Sequence, residues 1–479
     1  MKVVIANAPR GKKGAAERSK LPPLGIAYLA SALENAGHKV ALLDAHNYDL
    51  SSEEVSEHIA AEKPDVFGIS CLTHNRFAAI EVIEQVKAKT GALVIAGGNH
   101  FTLTGRDALE NIPSLDLVAK GEAEQTLVEV VEAHARGKKF DDIIGLYFRG
   151  RTGEIVETPD RPFEDDLDRI AGPAWHLYNL KDYDRPIDGT NIRSLGVIST
   201  RGCPNKCAFC GEVAFSKAIM RRHSPAHFVD QLAMLKSAYG ISGYSFWDDT
   251  FTVVKSHVRG VCDLIESRGL DIRWYARARV NTVDRATLER MKSAGCITVS
   301  YGVESGSQRI LERIRKNITI EQVRRAVADS LDVGLHVKLF FIMSHLDERR
   351  EDVRTTLRFM RELEAMSPDV ECKFGIVVIF PGTEVERVAR ERGYLPADFS
   401  WHRYREFPKW VISGYEPWMP YFEQPELPLE EIRALICRER FTRMQLIGKG
   451  ARRLWNLRTG ANVAATARIA GRYIRGFFR

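Results

Sequence analysis

No stretch of this 479-residue chain approaches the roughly 20 consecutive apolar residues that cross a bilayer, which excludes a protein built on membrane-spanning helices. The first residues, MKVVIANAPRGKKG, turn polar after seven positions, too early for a secretory leader, so a cytoplasmic protein is expected. Cysteine is scarce, eight in all, and five of them (Cys71, Cys262, Cys296, Cys372 and Cys437) are scattered singly through apolar stretches. That distribution excludes a disulfide scaffold and predicts buried free thiols in a reducing compartment. Charge of one sign is missing from the whole but not from its parts. The formal net charge is +6, yet residues 438–479 hold eleven basic residues against the single acid Glu439, so this tail carries +10 and the rest of the chain −4.

What is present is alternation. Hydrophobic residues at 44% and charged residues at 28% describe a globular protein, and the length calls for two or three domains. KVVIAN, KVALLDA, DVFGISCLT, ALVIAGG and LDLVAKG read as buried strands, with helical patterns such as LGIAYLASALENAGH between them. Continuous apolar strands alternating with helices predict an α/β fold with a parallel sheet covered on both faces. Residues 1–145 are expected to form such a doubly wound unit, with ligands bound beyond the strand C-termini. A polar, proline-bearing connector, 146–192, follows. Six further strand–helix repeats, from SLGVIST to FGIVVIF, predict a partial (β/α)6 barrel over 193–392. Residues 393–479 read as an aromatic segment with Trp401, Trp410 and Trp418, then helices.

The first barrel strand runs into STRGCPNKCAFCG, which places Cys203, Cys207 and Cys210 within eight residues. A structural zinc needs a fourth ligand, and none follows at finger-like spacing, the next histidine being His223. Cubane clusters also usually take four thiolates. Three cysteines leave one metal position open to something that is not protein.

RGCPNKCAFC at a strand end resembles the radical S-adenosylmethionine enzymes. The resemblance implies a 4Fe–4S cluster held by Cys203, Cys207 and Cys210, with its open iron chelated by S-adenosylmethionine. It also implies groups that grip this cofactor. FWDDTFT offers Asp248 and, second to it, Asp249 for the methionine amino end. WYARARVN offers Arg277 or Arg279 for a carboxylate, and SYGVESGS offers Glu304 and Ser305 for the ribose and methionine ends. A helix cap or solvated turn is the competing reading of the aspartates, and an ordinary charged strand end that of the others. The adenine is expected near Val378 to Phe380.

LPPLGIAYLASALENAGHKVALLDAH, GISCLTHN, IAGGNHFT and KGEAEQTL resemble the cobalamin-binding domain fused before many such barrels. Ser70, Leu72 and Thr73 match its S-x-L turn, and Gly97 and Gly98 match the paired glycines that let a nucleotide tail lie against backbone. The N-terminal unit is then a Rossmann-like cobalamin-binding domain. The chain departs from the wider pattern twice. The loop after the first strand lacks the D-x-H-x-x-G histidine, and His46 reads as a loop residue, so cobalt is expected without a histidine ligand. IMSHLDE, residues 342–348, stands where relatives commonly have a Gly-x-Pro-Gly-Glu turn.

The resemblance implies a methyltransferase acting at an unactivated carbon of a small molecule, with a flavodoxin or ferredoxin as electron donor. The alternative is a cyclase, oxidase or carbon–carbon bond-forming enzyme without methyl transfer. An electron-carrying iron–sulfur protein would need neither the barrel nor the open iron. The basic tail, with Trp455, Tyr473, Phe477 and Phe478 interleaved, reads as a peripheral membrane-surface element, which would suit lipophilic substrates such as polyprenoid lipids or tetrapyrroles. A solvated helix and a nucleic-acid contact are the other readings, the second disfavoured by the acidic body.

Overall fold

The computed structural model describes residues 1–9, 21–187, 190–404 and 419–440. Strands β1 (Lys2–Asn7), β2 (Lys39–Leu43), β3 (Val66–Ser70), β4 (Leu93–Gly97) and β5 (Leu117–Ala119) run parallel in the order β2-β1-β3-β4-β5. Buried runs such as VFGIS of β3 explain the arrangement, because a strand apolar on both faces must be covered on both. Local signals set the helices between them. Ser51 starts helix Ser52–Glu62 with a reciprocal capping box to Glu54.

The sheet does not stop at residue 145. β6 (Leu146–Arg149) and β7 (Ile155–Glu157) add two antiparallel strands at the β5 edge, so the first part of the expected connector belongs to this sheet. The alternating burial of β6 and the three-residue β7, which has no fully buried position, carry a weaker signal than the apolar runs before them.

The second sheet is parallel and six-stranded. β8 (Ser194–Val197) begins it; a short antiparallel ribbon, β9 (Thr200–Arg201) with β10 (Arg221–Arg222), interrupts the chain. β11 (Gly243–Phe246), β12 (Arg273–Ala278), β13 (Cys296–Glu304), β14 (His336–Met343) and β15 (Val370–Ile376) then follow in spatial order. β8 and β15 are its two edges, so the barrel is open on one side. One cluster of buried apolar residues joins both sheets. It includes Ile5 and Leu117 of the first, Trp175 and Tyr183 of the connector, and Val197 and Phe246 of the second.

Helix Leu429–Arg440 packs on helix Arg350–Glu364. Trp401 and His402 reach back to the N-terminal unit, where Asp107 accepts from Trp401 N at 2.9 Å and faces His402 Nδ1 at 2.8 Å. Among the described residues no helix is long and apolar enough to cross a membrane. Trp410, Trp418 and the basic segment 441–479, with its expected membrane contact, lie outside the described residues.

The turn that lacks its glycines keeps their backbone shape. Ser344 and Asp347 occupy the two glycine positions with φ of 70° and 60°. Left-handed backbone costs a non-glycine residue about 1–2 kcal/mol. The turn is held by the Glu348 carboxylate, which accepts from Ser344 N and from His345 N, and by Ser344 Oγ donating to the Phe422 carbonyl. Burial pushes the Glu348 carboxyl up to about 8 despite these two donors. Because the folded value lies above the unfolded one, the stabilisation is complete below about pH 4.5 and is lost as pH rises through 8. Glu348→Gln, which cannot ionise, should therefore gain on the wild type by about 4 kcal/mol between pH 5 and 9. Anaerobic thermal melts across that range check this; parallel profiles for the two proteins would contradict it.

Candidate active site

The cysteine loop leaves the top of the second sheet through a constrained turn. Gly202 has φ +84°, and a Cβ there would stand 2.1 Å from the Ile219 carbonyl oxygen, so only glycine fits. Beneath it, Asp248 is 1% exposed and staples β8 to the loop: its Oδ1 accepts from Ser199 N at 3.0 Å, Ser199 Oγ at 2.8 Å and Thr200 Oγ1 at 2.6 Å. Burial pushes its carboxyl up, and these donors pull it back.

Cys203, Cys207 and Cys210 are free thiols lining one cavity of about 500 Å³. Asn205 Nδ2 donates to Cys203 Sγ at 3.3 Å, and Arg279 Nη1 to Cys207 Sγ at 3.8 Å. The second nitrogen of Arg279 donates to the Lys316 carbonyl, which fixes the guanidinium. Three thiols lining one cavity, with an amide donor beside Cys203 and a fixed cation beside Cys207, fit a cluster that carries net negative charge.

The same cavity receives Asp249, Arg277 and Glu304. Arg277 lies over the Trp247 ring at 5.1 Å. Burial pushes the Asp249 carboxyl up to about 6, with Arg277 opposing and Asp248 adding to the shift. Glu304 comes inward because the β13–β14 register slips between Gly302 and Glu304, leaving Glu304 with φ +72°. Its carboxylate pairs with buried Lys316 Nζ at 2.8 Å.

Two expected cofactor ligands are placed elsewhere. Asp248, put first from the sequence, points down into the staple, and Asp249 is the carboxylate on the cavity wall. Ser305 is fully buried, with its hydroxyl between Thr356 Oγ1 at 3.1 Å and Ser307 N at 3.1 Å, so its side chain is spent inside the protein. Val378 and Ile379, expected against adenine, are buried beneath residues 420–421, which pair with them.

A second cavity of about 580 Å³ opens at the C-terminal ends of β1, β3 and β4. Ser70, Leu72, Gly97 and Gly98 line it, and Leu72 is 51% exposed into it. Gly98 has φ +85°, and a Cβ would lie 2.8 Å from both the Cys71 carbonyl oxygen and Ser70 Oγ. That bare backbone is a cradle suited to a long tail lying against the strand ends. Thr73 is turned away, facing His100 Nδ1 at 3.3 Å. His46 stands on the cavity wall. The barrel supplies the opposite side: Arg201 lies over the Tyr28 ring at 4.6 Å and pairs with Glu122 at 3.0 Å and Glu124 at 2.8 Å.

The two cavities share a wall made of Glu212, Trp247 and Asp249. Burial pushes the Glu212 carboxyl up to about 7, and the charge of Asp249 adds to it. Glu212 and Lys316 were not legible as site residues. Lys316 meets Glu304 across a turn that no local pattern announces. Glu212 had one usable signal, its position two residues after Cys210 in the short helix Gly211–Ser216.

Comparisons with known proteins agree with this architecture. Residues 14–131 match the B12-binding domain and residues 197–360 the radical SAM superfamily. The chain is 35% identical to an uncharacterized methyltransferase of Pyrococcus horikoshii, over 80% of this chain and 81% of that one. It is 29% identical to an anaerobic magnesium-protoporphyrin IX monomethyl ester cyclase of Rubrivivax gelatinosus, over 76% of this chain and 66% of that protein. Its fold is similar to that of the radical S-adenosylmethionine methyltransferase TsrM from Kitasatospora setae, solved with tryptophan and a cofactor analogue. The TM-score is 0.71 and the identity 19%, over 91% of this chain and 89% of that one. The double-domain match, the two joined cavities and the 35% relative converge on one conclusion: the chain belongs to the cobalamin-binding radical S-adenosylmethionine enzymes.

Proposed function

We propose that the protein is a cobalamin-dependent radical S-adenosylmethionine methyltransferase acting at an unactivated carbon of a small molecule. The observation that carries this reading is the shared wall. A cavity lined by three cysteines and a glycine-cradled cavity meet at Glu212, Trp247 and Asp249, so a radical formed in one is adjacent to a methyl carrier held in the other. When bound, the cluster supplies the electron that cleaves S-adenosylmethionine and the cobalamin supplies the methyl group.

The chain's own residues bind and orient. Asp249 takes the methionine ammonium, and Arg277, stacked on Trp247, takes its carboxylate. Glu304 addresses the ribose, with Lys316 holding it in place. Asp248 keeps the cysteine loop in register. Ser70, Leu72, Gly97 and Gly98 hold the cobalamin tail, and Thr73 supports their turn from behind. The Trp247 indole forms part of the wall between the cavities. A flavodoxin or ferredoxin delivers the electron.

The cyclase among the relatives favours a second reading, in which both cofactors serve a reaction without methyl transfer. Products separate the two. Anaerobically reconstituted protein supplied with cobalamin, reductant and S-adenosylmethionine should release both S-adenosylhomocysteine and 5′-deoxyadenosine. Formation of 5′-deoxyadenosine alone, with cobalamin bound, would reject methyl transfer; formation of neither would reject the radical reading.

A further inference from the structure

The charges on the cysteine cavity do not balance. Five cations line it, Arg185, Arg277, Arg279, Lys316 and Lys373, against the carboxylates Glu212, Asp249 and Glu304. Three of the cations are committed. Lys316 is paired with Glu304 at 2.8 Å, Arg279 is fixed between Cys207 and the Lys316 carbonyl, and Arg277 lies beside Asp249 and over Trp247. Two are left over, Arg185 and Lys373.

These two come from opposite edges of the open sheet. Arg185 precedes β8 on a segment that extends that edge: Pro186 bridges Arg193, and the Arg185 carbonyl accepts from Ser194 N at 2.8 Å and Ser194 Oγ at 3.1 Å. Its guanidinium has no ion-pair partner among the described residues. Lys373 sits within β15, the other edge, in register with Phe340. Among the described residues its one ion pair is a loose 3.6 Å contact to solvent-exposed Glu371, whose carboxylate also faces Lys338 Nζ at 3.5 Å. Exposed pairs of this kind contribute little and do not neutralise a cation.

Beside the cations stand two large aromatic side chains, Phe340 at 39% and Trp247 at 37% exposure. Both line the same cavity. Exposed together in one cavity, the two rings offer apolar surface for the body of a ligand to cover. The open side of the barrel therefore presents weakly compensated positive charge at its edges and partly exposed aromatic rings within, the Trp247 ring being shared with Arg277.

We infer that the substrate is an amphiphilic anion, a carboxylate- or phosphate-bearing molecule with a flat or apolar body, whose charged end is met by Arg185 and Lys373 and whose body lies on Phe340 and Trp247. This rests on the functional reading above and narrows its substrate class. A wholly apolar lipid would desolvate Arg185 with no counter-charge and Lys373 with only the loose Glu371 contact, which burial penalises.

The test uses the holoprotein with cluster and cobalamin, saturated with S-adenosylmethionine so that the cofactor's own carboxylate is already held. It is titrated calorimetrically with three probes of one shape: 2-naphthoate, 2-naphthyl phosphate and the neutral 2-naphthamide. At least one anion should bind about tenfold tighter than the amide, a difference set by charge alone. The tighter anion identifies the group as carboxylate or phosphate. In the Arg185→Ala/Lys373→Ala double variant, judged intact by its iron content, the preference for the anion should vanish, while Phe340→Ala should weaken all three probes together. Equal binding of anions and amide to the wild type, binding of none, or a preference that survives in the double variant would each overturn the inference. Failure to take up S-adenosylmethionine would instead count against the functional reading, and the same titration without it would still decide the anion preference.

Discussion

Replacing Cys203, Cys207 and Cys210 by alanine should reduce iron from about four per chain to near zero and bring 5′-deoxyadenosine formation to background. The size of the effect follows from the donor set. The three thiols line one cavity, the remaining five cysteines are dispersed through the fold, and no spare thiolate is placed to substitute. The fold should survive, because the loop is anchored by Asp248 through Ser199 and Thr200, not by the cysteines. Cobalamin uptake, which depends on the other cavity, should be retained. Iron quantification and chromatography of the nucleoside product check this. A triple variant that still cleaves S-adenosylmethionine reductively would show that the cluster lies elsewhere.

Gly98→Ala should abolish cobalamin uptake and destabilise the N-terminal unit by about 2 kcal/mol or more, the combined cost of left-handed backbone and a backbone clash. The added Cβ meets the Cys71 carbonyl at 2.8 Å, and a main-chain oxygen at a strand end has nowhere to go. Either Gly98 moves and closes the cradle, or β3 and β4 separate. Gly97 is the internal control. Its φ of −157° is open to any residue, and its nearest contact, the Ala119 carbonyl oxygen, is 3.8 Å away, so Gly97→Ala should leave stability within about 0.5 kcal/mol. Cobalamin retained through gel filtration, measured by absorbance, reads the first effect, and thermal melts read the second. Full uptake by Gly98→Ala would move the tail-binding surface away from this turn.

How far the sequence reached depended on distance along the chain. The cysteine triad, the glycine pair and the apolar strands are local patterns, and each stands where the pattern places it. β6 and β7 escaped because two short strands with one solvated face carry little apolar signal. The exchange of roles between Asp248 and Asp249 lies beyond any motif. The two carboxylates stand in the loop after β11, and only the position of Ser199 and Thr200 decides which of them is buried. Lys316 is set by a turn and by the β13 register slip that brings Glu304 to it. Ser344 and Asp347 show the reverse case. The glycines expected of the turn are missing, yet the turn persists because Glu348 satisfies the backbone that glycine would merely have freed.

The apolar cluster that runs from Ile5 and Leu117 through Trp175 and Tyr183 to Val197 and Phe246 has a mechanical consequence. Two halves with private cores can swing about a hinge at small cost, since only a polar seam is opened. Here a swing would expose shared interior, at about 25 cal/mol for each Å² of apolar surface drawn into water. The methyl-carrying half and the radical-forming half are therefore fixed at one spacing. Delivery across the Trp247 wall then falls to side chains and to the travelling group itself.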